Sequence, residues 1–220
     1  MKFFLDTANL DELKKGAALG IVDGVTTNPS LIAKEGNAIE DQIRQICEVV
    51  NGPVSAEVVA TKADEMIEEG RRLAKIHPNV VVKVPLIRDG IRACSLLSKE
   101  GIRVNVTLCF SSAQALLAAK AGAYFISPFV GRIDDIGWDG SELIDDIVHI
   151  YDNYGYPTQV LAASLRTSTH VMLAARAGAH CGTMPFKVLD SMFNHPLTEK
   201  GLDQFLKDYA KVFQETPAAR

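Results

Sequence analysis

Lys83 is the residue of this 220-residue chain whose type and setting point most directly to chemistry. It stands in Val80-Val81-Val82-Lys83-Val84-Pro85, a β-branched run that reads as a strand. A lysine so flanked cannot easily extend its head group to water, and desolvation disfavours the ammonium form. A neutral amine in an apolar pocket is a nucleophile suited to carbonyl substrates. Taken alone, the strand also allows a plainer role, in which Lys83 pairs with Glu57 or Asp6 and only neutralises them.

Other polar residues repeat the pattern. Glu57 reads as a buried carboxylate that moves protons near Thr107, or as the ion-pair partner of Lys83. Asp6 reads as a second acid or base, or as a cap for the turn Thr7-Ala8-Asn9. Ser164-Leu165-Arg166 is the phosphate signal, because barrels often bind phosphate after the seventh strand. Arg132 offers a second guanidinium for bidentate contact, although a surface ion pair is the commoner fate of one arginine. Phe129 either lines the site or packs. The histidines at 77, 149, 170, 180 and 195 show no metal-ligand spacing and read as structural. Cysteines 47, 94, 109 and 181 lack C-x-x-C spacing and read as small buried hydrophobes in a reducing compartment.

The elements that must position these groups alternate without a break. Strand-like runs fall at 3–6, 22–26, 54–59, 80–84, 103–107, 123–127, 159–163 and 180–184. Helical patterns lie between them at 11–19, 38–50, 63–75, 90–100, 112–121, 141–154 and 167–177, with Thr61 and Ser111 as N-caps and Gly101, Gly122 and Gly178 closing helices. Eight such βα units predict an α/β fold, a (β/α)8 TIM barrel in a single domain spanning 1–220. An open doubly wound sheet would usually carry a Gly-rich turn after its first strand, where this chain has Asp6-Thr7-Ala8-Asn9. A short helix at 187–193 and an extra C-terminal helix at 201–213 follow, and the tail 215–220 reads as frayed.

Period-2 alternation then tests the chemistry. It aligns Ser55, Glu57 and Val59; Val81, Lys83 and Pro85; Asn105 and Thr107; Phe125, Ser127 and Phe129; and Ala162, Ser164 and Arg166. Asp6 ends the first strand, and Thr26 and Asn28 end the second. An unpartnered buried polar group costs roughly 1–3 kcal/mol, so polar residues at the same end of seven strands imply a constructed site. Barrel enzymes place their chemistry at that end.

Bulk properties narrow the class. A formal charge of −4 gives no basic footprint for nucleic acid, yet a locally cationic pocket for a small anion remains compatible with it. An aspartate at position 6 comes too early for a signal peptide. No apolar run approaches the ~20 residues of a membrane span. The expectation is a cytoplasmic globular protein.

Leu5-Asp6-Thr7-Ala8, Gly24-Val25-Thr26-Thr27-Asn28-Pro29-Ser30, Val82-Lys83-Val84-Pro85 and Ser127-Pro128-Phe129-Val130-Gly131-Arg132-Ile133-Asp134 together resemble the small transaldolase family, which includes fructose-6-phosphate aldolases. The resemblance implies transfer of a dihydroxyacetone unit from a ketose phosphate to an aldose phosphate, in the non-oxidative pentose phosphate pathway. Lys83 would form the imine, and Asp6 would take the C4-hydroxyl proton as the C3–C4 bond breaks. Glu57 and Thr107 would hold a water and shuttle protons. Asn28 and Asn105 would orient the imine and hydroxyls, with Thr26, Ser127 and Phe129 nearby. Arg132, Ser164 and Arg166 would bind the phosphate. No metal or organic cofactor is implied, since the iminium is the electron sink.

Glu57, Phe129, Asn105 and Ser127 resemble the transaldolase branch, because the aldolase branch typically has glutamine and tyrosine at the first two positions and apolar residues at the others. The alternatives are a fructose-6-phosphate aldolase using the same imine and a sugar-phosphate-binding barrel without turnover. The family also implies a homo-oligomer, a pentamer or decamer, with the C-terminal helix reaching a neighbour. That helix carries a stripe of Leu202, Phe205, Leu206, Tyr209, Val212 and Phe213, which could instead pack on its own barrel.

Overall fold

The computed structural model describes residues 1–214, with side chains described through Lys211. The expected frayed tail 215–220, and the side chains of Val212 and Phe213, lie outside the described residues. Eight strands occur among those described: β1 (Lys2–Asp6), β2 (Gly24–Thr26), β3 (Val54–Glu57), β4 (Val80–Pro85), β5 (Val104–Cys109), β6 (Phe125–Pro128), β7 (Gln159–Ala162) and β8 (Cys181–Met184). All neighbours pair in parallel, and β8 returns to β1, so the sheet closes into a barrel in sequence order. The expected (β/α)8 architecture holds.

The helices are α1 (Leu10–Ala18), α2 (Pro29–Glu35), α3 (Ile39–Val49), α4 (Ala63–Ala74), α5 (Arg88–Lys99), α6 (Ser112–Lys120), α7 (Val130–Asp134), α8 (Gly140–Tyr154), α9 (Ser168–Arg176), α10 (Phe186–Ser191) and α11 (Pro196–Gln214). Most bounds lie within a residue or two of the sequence expectation. Ser111 caps α6 by accepting from the Gln114 amide at 3.2 Å. Thr61 is not a cap: Lys62 holds that position without a side-chain bond, and Asp89 Oδ1 accepts from the Ala63 amide at 3.3 Å instead. Gly101, Gly122 and Gly178 close their helices at φ near +80°. The short helices α2 and α7 have no counterpart in the periodicity, and both carry site residues.

Two apolar layers build the core. The larger lies between barrel and helices and takes in Val25, Val54, Val82, Val84, Val106, Ile126 and the inner faces of the helices. The smaller fills the barrel's interior with Phe4, Val81, Phe125, Leu161, Ala163 and Cys181. Phe4 and Phe125 meet edge to face at 5.7 Å, a favoured aromatic geometry. Gly24 makes room for this, since a Cβ there would lie 2.6 Å from the Phe4 ring. All four cysteines are buried.

The parity of β7 differs from the sequence expectation. Leu161 and Ala163 face the interior, and Ala162 faces the helices, so Ala162, Ser164 and Arg166 do not form one inward row. Ser164 takes φ +57°, which ends the strand's alternation. In β3 the strand stops at Glu57, and Val59 is exposed rather than in line.

At the C-terminal end α11 is longer than expected, and Leu197, Leu202, Phe205 and Leu206 are exposed rather than packed on the barrel. No helix among the described residues is long and apolar enough to cross a membrane.

Candidate active site

Above the interior aromatic layer the barrel turns polar, and a cavity of about 530 Å³ opens at the C-terminal ends of the strands. Asp6, Thr26, Asn28, Glu57, Lys83, Thr107, Ser127, Phe129, Arg132 and Ser164 line it, as expected. Asn105 and Arg166 do not.

Lys83 stands on the floor, 6% exposed. Parallel pairing sets Glu57 of β3 opposite Lys83, and Lys83 opposite Asn105 of β5. The ammonium lies 2.9 Å from Glu57 Oε2 and donates to the Thr27 carbonyl at 2.9 Å. The two readings of Lys83, ion-pair partner and nucleophile, are therefore compatible: the carboxylate that pairs with it is placed to accept the proton that a nucleophilic lysine sheds.

Asp6 enters from β1. Burial pushes its carboxyl above the ordinary value of 3.8, while the Thr26 hydroxyl, donating at 2.7 Å, and the charge of Lys83 oppose that rise. Thr107 Oγ1 is buried with no hydrogen-bond partner among the described residues. In the lining of the same cavity as Glu57 and Lys83, that hydroxyl is available to a water or a ligand.

Asn105 serves from beneath. Its amide donates to Ser55 Oγ at 3.0 Å, and its carbonyl oxygen accepts from Ser127 Oγ at 2.7 Å. The Ser127 proton is thus committed, which leaves its oxygen only as an acceptor toward anything else in the cavity it lines. Asn28 caps α2, with Oδ1 accepting from the Leu31 amide at 3.0 Å and Pro29 following at the first helical position. That bond uses the oxygen and leaves the two amide hydrogens of this cavity-lining residue uncommitted to the cap.

Two loops form the opposite wall. Arg132 on α7 lies 4.8 Å over the Phe129 ring, and Phe129 leans on Phe110 at 5.6 Å, a cation–π stack that holds the guanidinium at the mouth. The Gly131 amide donates to the Ser164 carbonyl at 3.1 Å. A Cβ on Gly131 would come within 2.6 Å of that oxygen and of Arg166 Nε, so the loops can approach only at a glycine. Arg166 turns away to Asp135, with bonds of 2.6 and 2.7 Å, and this pairing holds the Asp135 carboxyl below its ordinary range. His170 braces this corner: Nδ1 accepts from the Arg166 amide at 3.2 Å, and Nε2 lies 3.0 Å from Asp134 Oδ2.

Sequence reasoning missed Thr183, Leu108, Ala163 and the α2 residues Pro29, Ser30 and Leu31, all of which line the cavity. The Asn28-Pro29 pair was the available signal for α2. Leu108 has φ +62°, at the irregularity in the β5–β6 pairing. A left-handed leucine costs roughly 1–2 kcal/mol, and strain of this kind clusters at functional sites; nothing in residue type announces it.

A (β/α)8 barrel with a lysine–carboxylate pair at its C-terminal mouth and a second carboxylate in the same cavity is equipped for carbonyl chemistry through an amine. A family model described as Transaldolase/Fructose-6-phosphate aldolase matches residues 3–218, and the chain belongs to that family. It is 59% identical to a probable transaldolase of Desulfatibacillum aliphaticivorans, over 96% of this chain and 99% of the relative. A probable transaldolase of Paracoccus denitrificans is 60% identical, over 98% and 99%. One from Myxococcus xanthus is 56% identical over the whole of both chains.

Proposed function

We infer that this chain is a transaldolase, moving a dihydroxyacetone unit from a ketose phosphate such as fructose 6-phosphate to an aldose phosphate through an imine on Lys83. The observation that carries the residue assignment is the 2.9 Å contact of Lys83 Nζ with Glu57 Oε2 on the cavity floor. Lys83 passes a proton to Glu57 and attacks the ketose C2. Loss of water, with Glu57 and Thr107 handling the protons, gives the imine. Asp6 takes the C4-hydroxyl proton, the C3–C4 electrons move into the iminium, and the aldose departs. The resulting enamine attacks the acceptor aldehyde, and hydrolysis frees Lys83. Asn28 and Ser127 hold the three-carbon unit, with Asn105 fixing Ser127 from below. Arg132 and Ser164 take the phosphate, joined by Arg166 when it leaves Asp135.

We read the chain as one cytoplasmic barrel domain that assembles with copies of itself, as a pentamer or decamer. The exposed apolar residues of α11 support that assembly. Borohydride treatment with fructose 6-phosphate should fix a covalent adduct on Lys83; absence of an adduct would refute the imine. Sedoheptulose 7-phosphate should form when erythrose 4-phosphate is added, and a predominance of free dihydroxyacetone would make the protein an aldolase instead.

A further inference from the structure

Asp6 heads a chain of hydroxyls that no sequence motif indicated. Thr26 Oγ1 on β2 lies 2.7 Å from Asp6 Oδ1 and 2.6 Å from Thr183 Oγ1 on β8. Thr26 and Thr183 are 3% and 2% exposed. β1 pairs with β2 on one side and β8 on the other, so the two threonines reach each other across the inward face of β1.

Counting hydrogens gives this chain a direction. The Thr26 hydroxyl carries one hydrogen. An ionised Asp6 can only accept, so Thr26 must donate to it, and the 2.6 Å contact must then use the hydrogen of Thr183. When Asp6 is protonated toward Thr26, both links can reverse. The direction of the two hydroxyls is therefore tied to the charge on Asp6.

We propose that Thr183 is a positioning residue for the reaction: its hydroxyl fixes Thr26 as a donor to Asp6 and holds Asp6 in the form that can accept a proton. This rests on the reading of Asp6 as the acceptor of the C4-hydroxyl proton. Hydrogen bonds that end on a charge are stronger than neutral ones, and each link polarises the next by about 10–30%. Loss of the terminal donor therefore favours protonated Asp6. The charged groups that share the cavity with Asp6 are Lys83 on β4, Glu57 on β3 and Arg132 at the mouth, while β5, β6 and β7 contribute neutral Thr107, Ser127 and Ala163. Lys83 acts in the same sense as the hydroxyl chain, and burial acts against both.

Thr183→Val keeps the β-branched shape and removes only the hydroxyl; Thr183→Ser restores it. The Asp6 carboxyl is titrated by ¹³C NMR, its signal assigned by its loss in Asp6→Asn. The midpoint should rise by about half a pH unit in Thr183→Val and return toward the parent in Thr183→Ser. The acidic limb of kcat/KM for fructose 6-phosphate cleavage should move with it. An unmoved titration, or equal shifts in the valine and serine variants, would overturn the proposal. A shifted titration with an unmoved acidic limb would uphold the hydroxyl chain and refute the role given to Asp6.

Discussion

Replacing Lys83 tests the site through stability as well as through turnover. Lys83→Met keeps most of the side-chain volume and removes the charge. It leaves the Glu57 carboxylate, with 15% side-chain exposure, facing no ammonium at 2.9 Å, and it deprives the Thr27 carbonyl of its donor. Breaking a fully buried ion pair from one side costs roughly 3–5 kcal/mol. Glu57 keeps partial access to the cavity, and well-exposed pairs contribute roughly 0–1 kcal/mol, so the expected loss is about 2–3 kcal/mol. For a chain of this size that corresponds to a fall of about 5–10 °C in Tm. Adding Glu57→Gln removes the stranded charge, and the double variant should recover more than half of the loss. Scanning calorimetry on the parent, both single variants and the double variant gives the coupling energy directly. If Lys83→Met melts within about 1 °C of the parent, or the double variant melts no higher than Lys83→Met, the pair is screened by the cavity and the argument fails.

The remaining predictions concern the walls of the cavity. Burial raises the Asp6 carboxyl above 3.8, so this group's contribution to stability is full below its unfolded value and is lost as pH rises through the higher folded value. Asp6→Asn should therefore melt above the parent at pH 7, with the gap closing toward pH 4; a gap equal at both pH values would refute the assigned burial. Arg132 lines the cavity and Arg166 does not. Arg132→Ala should raise KM for fructose 6-phosphate by about 10–100-fold, the worth of a charge-assisted hydrogen bond, with a smaller rise for Arg166→Ala in the same steady-state assay. The reverse order would refute Arg132 as the main phosphate ligand and give that part to Arg166 released from Asp135.

Much of this was legible because a parallel barrel imposes simple rules. Alternation by two placed Glu57, Lys83, Thr107 and Ser127 on the inward face, and the register then brought Glu57 beside Lys83. Residue type alone left Lys83 open between ion pair and nucleophile, and it was the set of polar residues at the same strand ends that pointed to a site. Where a role depends on a neighbour rather than on a type, the sequence was silent. Asn105 reads as a substrate contact, and the sequence does not show that one of its two N–H groups goes to Ser55 Oγ while its carbonyl oxygen accepts from Ser127 Oγ. Arg166 reads as a phosphate ligand, yet Asp135 occupies it.

Thr183 and Ser164 show where alternation itself stops informing. In the run His180-Cys181-Gly182-Thr183-Met184, the inward residues Cys181 and Thr183 are no more polar as a set than an ordinary buried strand, and a threonine in a strand suits β propensity alone. Its partner Thr26 lies 157 positions away, and only barrel closure between β8 and β1 brings them together. In β7, four residues are too few to fix parity: after Gln159 come Val160, Leu161 and Ala162, with Ala163 just beyond the strand, all apolar, so either frame satisfies a barrel with a core on both faces. Alignment of Ala162, Ser164 and Arg166 holds only if alternation continues past the strand. The left-handed Ser164 breaks that premise, turning the chain so that Ser164 still lines the cavity while its strand predecessor Ala162 faces the helices. A strained residue at a strand's end thus preserves a site that period-2 counting would have rejected had the frame been known.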